Sequence, residues 1–175
     1  MITESTYGGK KQHESFSKSS KRIAKLANFD GPVLIPTYAV GRSVEILELL
    51  ERNEFDGGKV FYDGMIGDLL PVYRGFASDV YMRPSLTNRI KHSGEPQPFL
   101  PDKANKPKDM TERYRILQKI EDPIIVAPSG MLTGGWSTFY LKEMVKNRKN
   151  GRILLVGFQP EDTPGRELLD AKEEN

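Results

Sequence analysis

Hydroxyl, acid, glycine and arginine side chains gather in five short stretches of this chain. The first is Glu4-Ser5-Thr6-Tyr7-Gly8-Gly9. The second is Thr37-Tyr38-Ala39-Val40-Gly41-Arg42, and the third is Asp63-Gly64. The fourth joins Pro128-Ser129-Gly130-Met131 to Thr133-Gly134-Gly135, and the fifth joins Gly157 to Thr163-Pro164-Gly165-Arg166. Glycine permits close backbone approach and leaves N–H groups free at a helix start, which suits an anion. Arginine adds a planar fork matched to phosphate. Gly41-Arg42 and Gly165-Arg166 both put that pair where a helix is expected to begin. A cation there opposes the helix dipole, so an external anion would account for it better than helix stability does.

Each stretch taken singly is also ordinary turn chemistry. Asp63 reads first as a cap for the helix that follows it. None of the stretches spells G-x-x-x-x-G-K-[ST] or G-x-G-x-x-G, which disfavours nucleotide binding of those kinds. His13 reads as a polar surface group, and Lys103, Lys106, Lys108 and the charged run 142–152 as solvated. Trp136, Phe139 and Tyr140 read as helix–sheet packing. The functional reading therefore depends on several turns meeting in one place.

The elements that would bring them together are short apolar strands alternating with helices. Strands are expected near 32–36 (ended by Pro36), 59–63, 123–127 and 152–156, with the end of a further strand before Glu4. Val44, Leu47 and Leu50 recur at helical spacing, with Glu45, Glu48 and Glu51 on another face. A helical segment from Ile66 contains Pro71, which is expected to kink or divide it. Residues 135–148 form another helix. Thr163 as N-cap and Pro164 at the first helical position begin one more. This alternation predicts an α/β fold, a Rossmann-like three-layer sandwich with a mostly parallel central sheet flanked by helices. Ligands of such sheets bind at the carboxyl ends of the strands, and all five stretches follow strands. Residues 84–108, rich in Pro, Lys and Asn, read as an irregular surface loop with some helix at its start.

Composition narrows the function. The 175 residues suffice for one domain with a core. With 26 basic and 24 acidic side chains, any nucleic-acid affinity must come from local placement of charge. The absence of cysteine excludes disulfides and thiolate metal sites and fits a reducing compartment. Two histidines far apart, His13 and His92, do not make a zinc site. No apolar run is long enough for a membrane span and no signal-peptide pattern appears, so the expected setting is the cytoplasm, with no membrane partner.

Five segments, ESTYGGKKQH, PTYAVGRSVEIL, VFYDG, APSGMLTGGWSTFYLKE and VGFQPEDTPGREL, occur in the order and approximate spacing of the β-CASP domain. This domain is the cap of metallo-β-lactamase-fold nucleases. The resemblance covers nearly the whole chain and is nearest to the RNA-processing branch, the RNase J-type and cleavage-and-polyadenylation-factor enzymes. It implies that residues 1–175 are a single cap domain separated from a metallo-β-lactamase domain. That domain would hold two zinc ions and activate water against an RNA phosphodiester. Glu4 falls on the family's motif A, whose acid orients a histidine beside the metals. That histidine and the H-x-H-x-D-H ligand segment are absent from this sequence. The chain alone is therefore expected to hold no metal or cofactor and to be catalytically inactive. The resemblance further implies that Ser5, Thr6, Tyr7, His13, Tyr38, Gly41, Arg42, Ser129, Gly130, Gly165 and Arg166 line the RNA path between the two domains.

Two rival functions stand beside this one. The first is a free-standing Rossmann-like module for a phosphorylated small ligand, and the second is an inactive interaction partner in an RNA-processing complex. Oligomeric state, sequence preference and endo- or exonuclease mode are not set by these residues.

Overall fold

The structure, a computed structural model, describes residues 14–76, 82–93, 99–147 and 150–173. The expected strand before Glu4 falls outside them. Helix α1 (Phe16–Ala27) leads to strand β1 (Val33–Pro36), helix α2 (Arg42–Arg52) and strand β2 (Val60–Tyr62). Helices α3 (Ile66–Gly75), α4 (Pro84–Ser93) and α5 (Met110–Lys119) come next. Strand β3 (Ile124–Ala127), helix α6 (Gly135–Lys146), strand β4 (Arg152–Ile153) and helix α7 (Pro164–Glu173) complete the order. The four strands form one parallel sheet in the order β2-β3-β1-β4.

Because side chains alternate across a strand, each strand feeds two cores. Val33 and Ile35 of β1, Val60 of β2 and Ile124 and Val126 of β3 pack with Leu47 and Leu50 of α2 and Ile66 and Leu70 of α3. Their neighbours Leu34, Phe61, Ile125 and Ala127 pack with Ile116 and Leu117 of α5 and Tyr140 and Met144 of α6. Helices thus cover both faces, which gives the three-layer α/β sandwich that the strand–helix alternation predicts.

Four local expectations are corrected. Glu48 is buried and paired with Arg52. Helix α2 lies between α1 and α3, so less of its polar face reaches solvent than the spacing suggests. Of the kink or division expected at Pro71, the division does not occur, since α3 runs unbroken from Ile66 to Gly75. The fourth strand is shorter than expected, and Pro36 supplies the reason. Arg152 N–H donates to Pro32 O and Leu154 N–H to Leu34 O, and the next parallel rung needs an N–H at residue 36. Proline has none, so the ladder stops at Ile153.

The last correction concerns 84–108. The helix expected at its start is present as α4, but Phe99 and Leu100 belong to the core beneath α2 and α3 and not to a surface loop. Asn105 N–H donates to Val60 O and Tyr62 N–H to Asn105 O, both at 3.1 Å. One residue of this segment therefore covers the outer edge of β2.

Candidate functional site: the strand-end rim

All four strands point the same way, so the turns that follow them share one rim. Thr37 N–H donates to Ala127 O at 2.9 Å, which brings the turns after β1 and β3 together. Gly130 sits so close to the Thr37–Tyr38 backbone that a Cβ there would lie 3.2 Å from Thr37 C. The turn after β4 joins them. Buried Gln159 donates from Nε2 to Gly130 O at 3.0 Å and to Gly157 O at 3.1 Å. Gly165 N–H donates to Met131 O at 3.2 Å. The rim thus brings together Tyr38, Gly41, Arg42, Ser129, Gly130, Gly165 and Arg166. Glu4, Ser5, Thr6, Tyr7 and His13 lie outside the described residues.

The helix starts on this rim follow from local chemistry. Gly41 precedes α2 with φ +78°, a conformation that glycine adopts without strain. Its N–H donates to Tyr73 Oη at 2.8 Å, and Ser43 Oγ donates back to Ala39 O at 2.6 Å. The Tyr38–Arg42 turn is therefore braced from both sides. At α7, Thr163 Oγ accepts from Arg166 N–H at 3.3 Å, as a capping threonine should.

Both rim arginines have a carboxylate on their own helix. Arg42 Nη1 donates to Glu45 Oε2 at 2.6 Å, and Arg166 Nε donates to Asp170 Oδ1 at 2.8 Å and Oδ2 at 3.1 Å. These pairs are exposed, and such pairs are worth at most about 1 kcal/mol. A local acid thus offsets the unfavourable position of each arginine on the helix dipole, without an external anion. Ser129 Oγ lies 3.1 Å from Thr133 Oγ1 at the exposed entrance to α6.

The turn after β2 is built differently. Asp63 is fully buried and does not cap α3, whose N-cap position is Met65 with no side-chain cap. Arg113 of α5 donates to its carboxylate from Nε and Nη2, each at 2.8 Å. Tyr140 Oη donates at 2.9 Å and Gly64 N–H at 2.6 Å. The Arg113 guanidinium lies 3.6 Å from the Trp136 ring centroid. Hydrogen bonding to Asp63 raises the Arg113 pKa still further. Burial, then the charge of Asp63 and the hydrogen bond to it, push the Tyr140 hydroxyl well above the usual phenol range.

Sequence reasoning missed this network and also missed Gln159. One signal was present. Arg113 precedes Ile116 and Leu117 by three and four positions, so it shares a helix face with an apolar stripe. A charge on such a face needs a buried partner.

Among the described residues, no three His, Cys, Asp or Glu side chains converge as a metal site. None of the described helices is long and apolar enough to cross a membrane.

The family model of the Beta-Casp domain matches residues 44–168. The transcription termination factor FttA of Methanococcus maripaludis is 34% identical over 176 residues, covering 96% of this chain and 27% of that protein. RNase aCSPSF2 of Saccharolobus solfataricus is 32% identical over 174 residues, covering 97% of this chain and 32% of that protein. FttA of Lokiarchaeum sp. is 33% identical over 178 residues, covering 97% and 27%. The chain spans about a quarter to a third of the length of these relatives. On the family match and these identities, the chain belongs to the β-CASP domain family.

Proposed function

We propose that this domain is the RNA-binding cap of a zinc-dependent ribonuclease of metallo-β-lactamase fold, working in the cytoplasm, and that alone it holds RNA without cutting it. One observation carries the reading. The turns after β1, β3 and β4 are hydrogen-bonded side by side, and two arginines stand exposed at helix starts among them. A relative similar over nearly the whole chain is named an RNase, which agrees with RNA as the anion.

In this reading Arg42 and Arg166 exchange their weakly held carboxylates for backbone phosphates, and Ser129 adds a hydroxyl donor. Contacts of this kind position the strand and read no base. Two zinc ions would supply an activated water in the complete enzyme. The described residues do not fit those ions. Their best-buried carboxylate, Asp63, is already committed to Arg113 and Tyr140. Metal ligands would come from a partner metallo-β-lactamase domain.

Titrating the chain with a fluorescent single-stranded RNA across a salt series tests the reading, together with a cleavage assay in added zinc. Binding that weakens steeply with salt, without cleavage, is expected. Tight zinc stoichiometry or cleavage by this chain would overturn the cap assignment. Salt-independent binding, or tighter binding of a small phosphorylated ligand, would overturn the RNA assignment.

A further inference from the structure

Phe158 is 75% exposed on the rim, although the backbone beside it is firmly held. Gln159 next to it is buried and fixes Gly157 O and Gly130 O through its amide. A mobile loop could fold such a ring away, whereas this turn holds it out in water. Tyr38, itself 43% exposed, lies against the preceding residue, its Cε2 3.4 Å from the position a Cβ would take on Gly157. The Tyr38 turn is braced by the bonds of Gly41 to Tyr73 and of Ser43 to Ala39. Two aromatic rings on neighbouring strand ends are therefore presented by two rigid turns.

Phe158 also forms one end of a groove of about 890 Å³ that follows β4 along the edge of the sheet. Most of its lining is apolar, Ile23, Leu26, Ile153, Leu155 and Leu168 among it, and its charged residues are Arg22, Arg42 and Arg152, with no carboxylate among them. Arg42 is held by the exposed acid Glu45, and such a pair yields readily to a phosphate, whereas Arg22 is held by the half-buried Glu14, which also accepts from Ser19. Rigid aromatic faces with an exposed arginine beside them are what a single-stranded nucleic acid uses. Each base offers a π-face for stacking, and each phosphate offers a charge.

We propose that Phe158, with Tyr38 beside it, is a stacking platform for a nucleobase of single-stranded RNA whose adjoining phosphate reaches Arg42. The proposal rests on the RNA reading above and adds to it a contact with the base itself. Stacking tolerates any base, so the platform would grip RNA without selecting sequence.

The experiment compares the wild-type chain with Phe158→Ala and Phe158→Trp, using two oligoribonucleotides of equal length and charge. One carries all its bases and the other has abasic sites at every position. Wild type is expected to prefer the base-bearing strand by about tenfold. Phe158→Ala should erase that preference without changing the salt slope, and Phe158→Trp should keep it, with tryptophan fluorescence quenched on binding. If Phe158→Ala weakens both strands equally, or neither, the platform is refuted while the RNA reading stands. If wild type binds neither strand, both fail together. If the chain instead self-associates in sedimentation, and Phe158→Ala makes it monomeric with RNA binding unchanged, the ring serves a protein contact and the platform is refuted.

Discussion

Two of the arginine–carboxylate pairs at the strand-end rim use the same chemistry to opposite ends. Arg113 meets Asp63 at 2.8 Å with the two side chains 9% and 0% exposed. Arg42 meets Glu45 at 2.6 Å with about half of each side chain in solvent. Distance does not separate them, but solvent does. The buried pair cannot release a partner without leaving a charge unpaired in the core. The exposed pair is screened and weak, so a phosphate can take the carboxylate's place. On this rim, the half beneath Trp136 is saturated by its own contacts and serves the fold. The half carrying Tyr38, Arg42 and Phe158 keeps its chemistry available.

The sharpest way to break this comparison is to remove the buried arginine. Arg113→Ala should cost about 3–5 kcal/mol of folding stability by urea denaturation, because Asp63 is left buried and unpaired. A loss no larger than that of Arg42→Ala would mean that burial does not distinguish the two pairs.

Tyr140→Phe comes next. It removes a hydrogen bond to a buried carboxylate, worth about 1.5–3 kcal/mol. It should also change the response to alkali. The folded hydroxyl titrates above its unfolded value, so its contribution is complete below pH of about 10 and is lost as pH rises further. Wild type should therefore lose stability more steeply above that pH than Tyr140→Phe. Parallel denaturation curves at rising pH would contradict the assignment.

The exposed pair should show in binding rather than in stability. Arg42→Ala is expected to change stability by less than about 1 kcal/mol and to flatten the log–log salt dependence of RNA binding by about 0.7. Glu45→Gln should act in the opposite sense, freeing Arg42 and tightening RNA up to about fivefold at low salt. An unchanged slope in Arg42→Ala, with a clear loss of stability, would make Arg42 a structural residue.

The smallest effect is expected at Arg166, whose partner Asp170 is one turn along the same exposed helix. Arg166→Ala should shift stability by about 0.5 kcal/mol or less in thermal melts. A larger shift would place Arg166 with Arg113 on the structural side of the comparison.

Much of this was legible in the sequence because the signals were local. Apolar runs ended by proline or glycine marked the strands, Thr163-Pro164 marked the start of α7, and the alternation marked parallel topology. The rim follows from that topology, so Arg42 and Ser129 could be assigned to one end before any coordinates. Asp63 was misread for the opposite reason. A carboxylate after a strand looks like a cap, and the partners that bury it lie 50 and 77 residues away.

The sequence by itself determined the fold class, the shared rim and the kinship with β-CASP domains, since each depends on periodicity, turn chemistry or motif order along the chain. Only the tertiary structure decided which arginine is sealed and which is free to trade partners. It also decided that Phe99 lies inside and Phe158 outside, and that Asn105 covers the β2 edge. The physical reason is that burial and desolvation are properties of packed layers. A residue's worth to fold or function here is set by neighbours that chain order does not reveal.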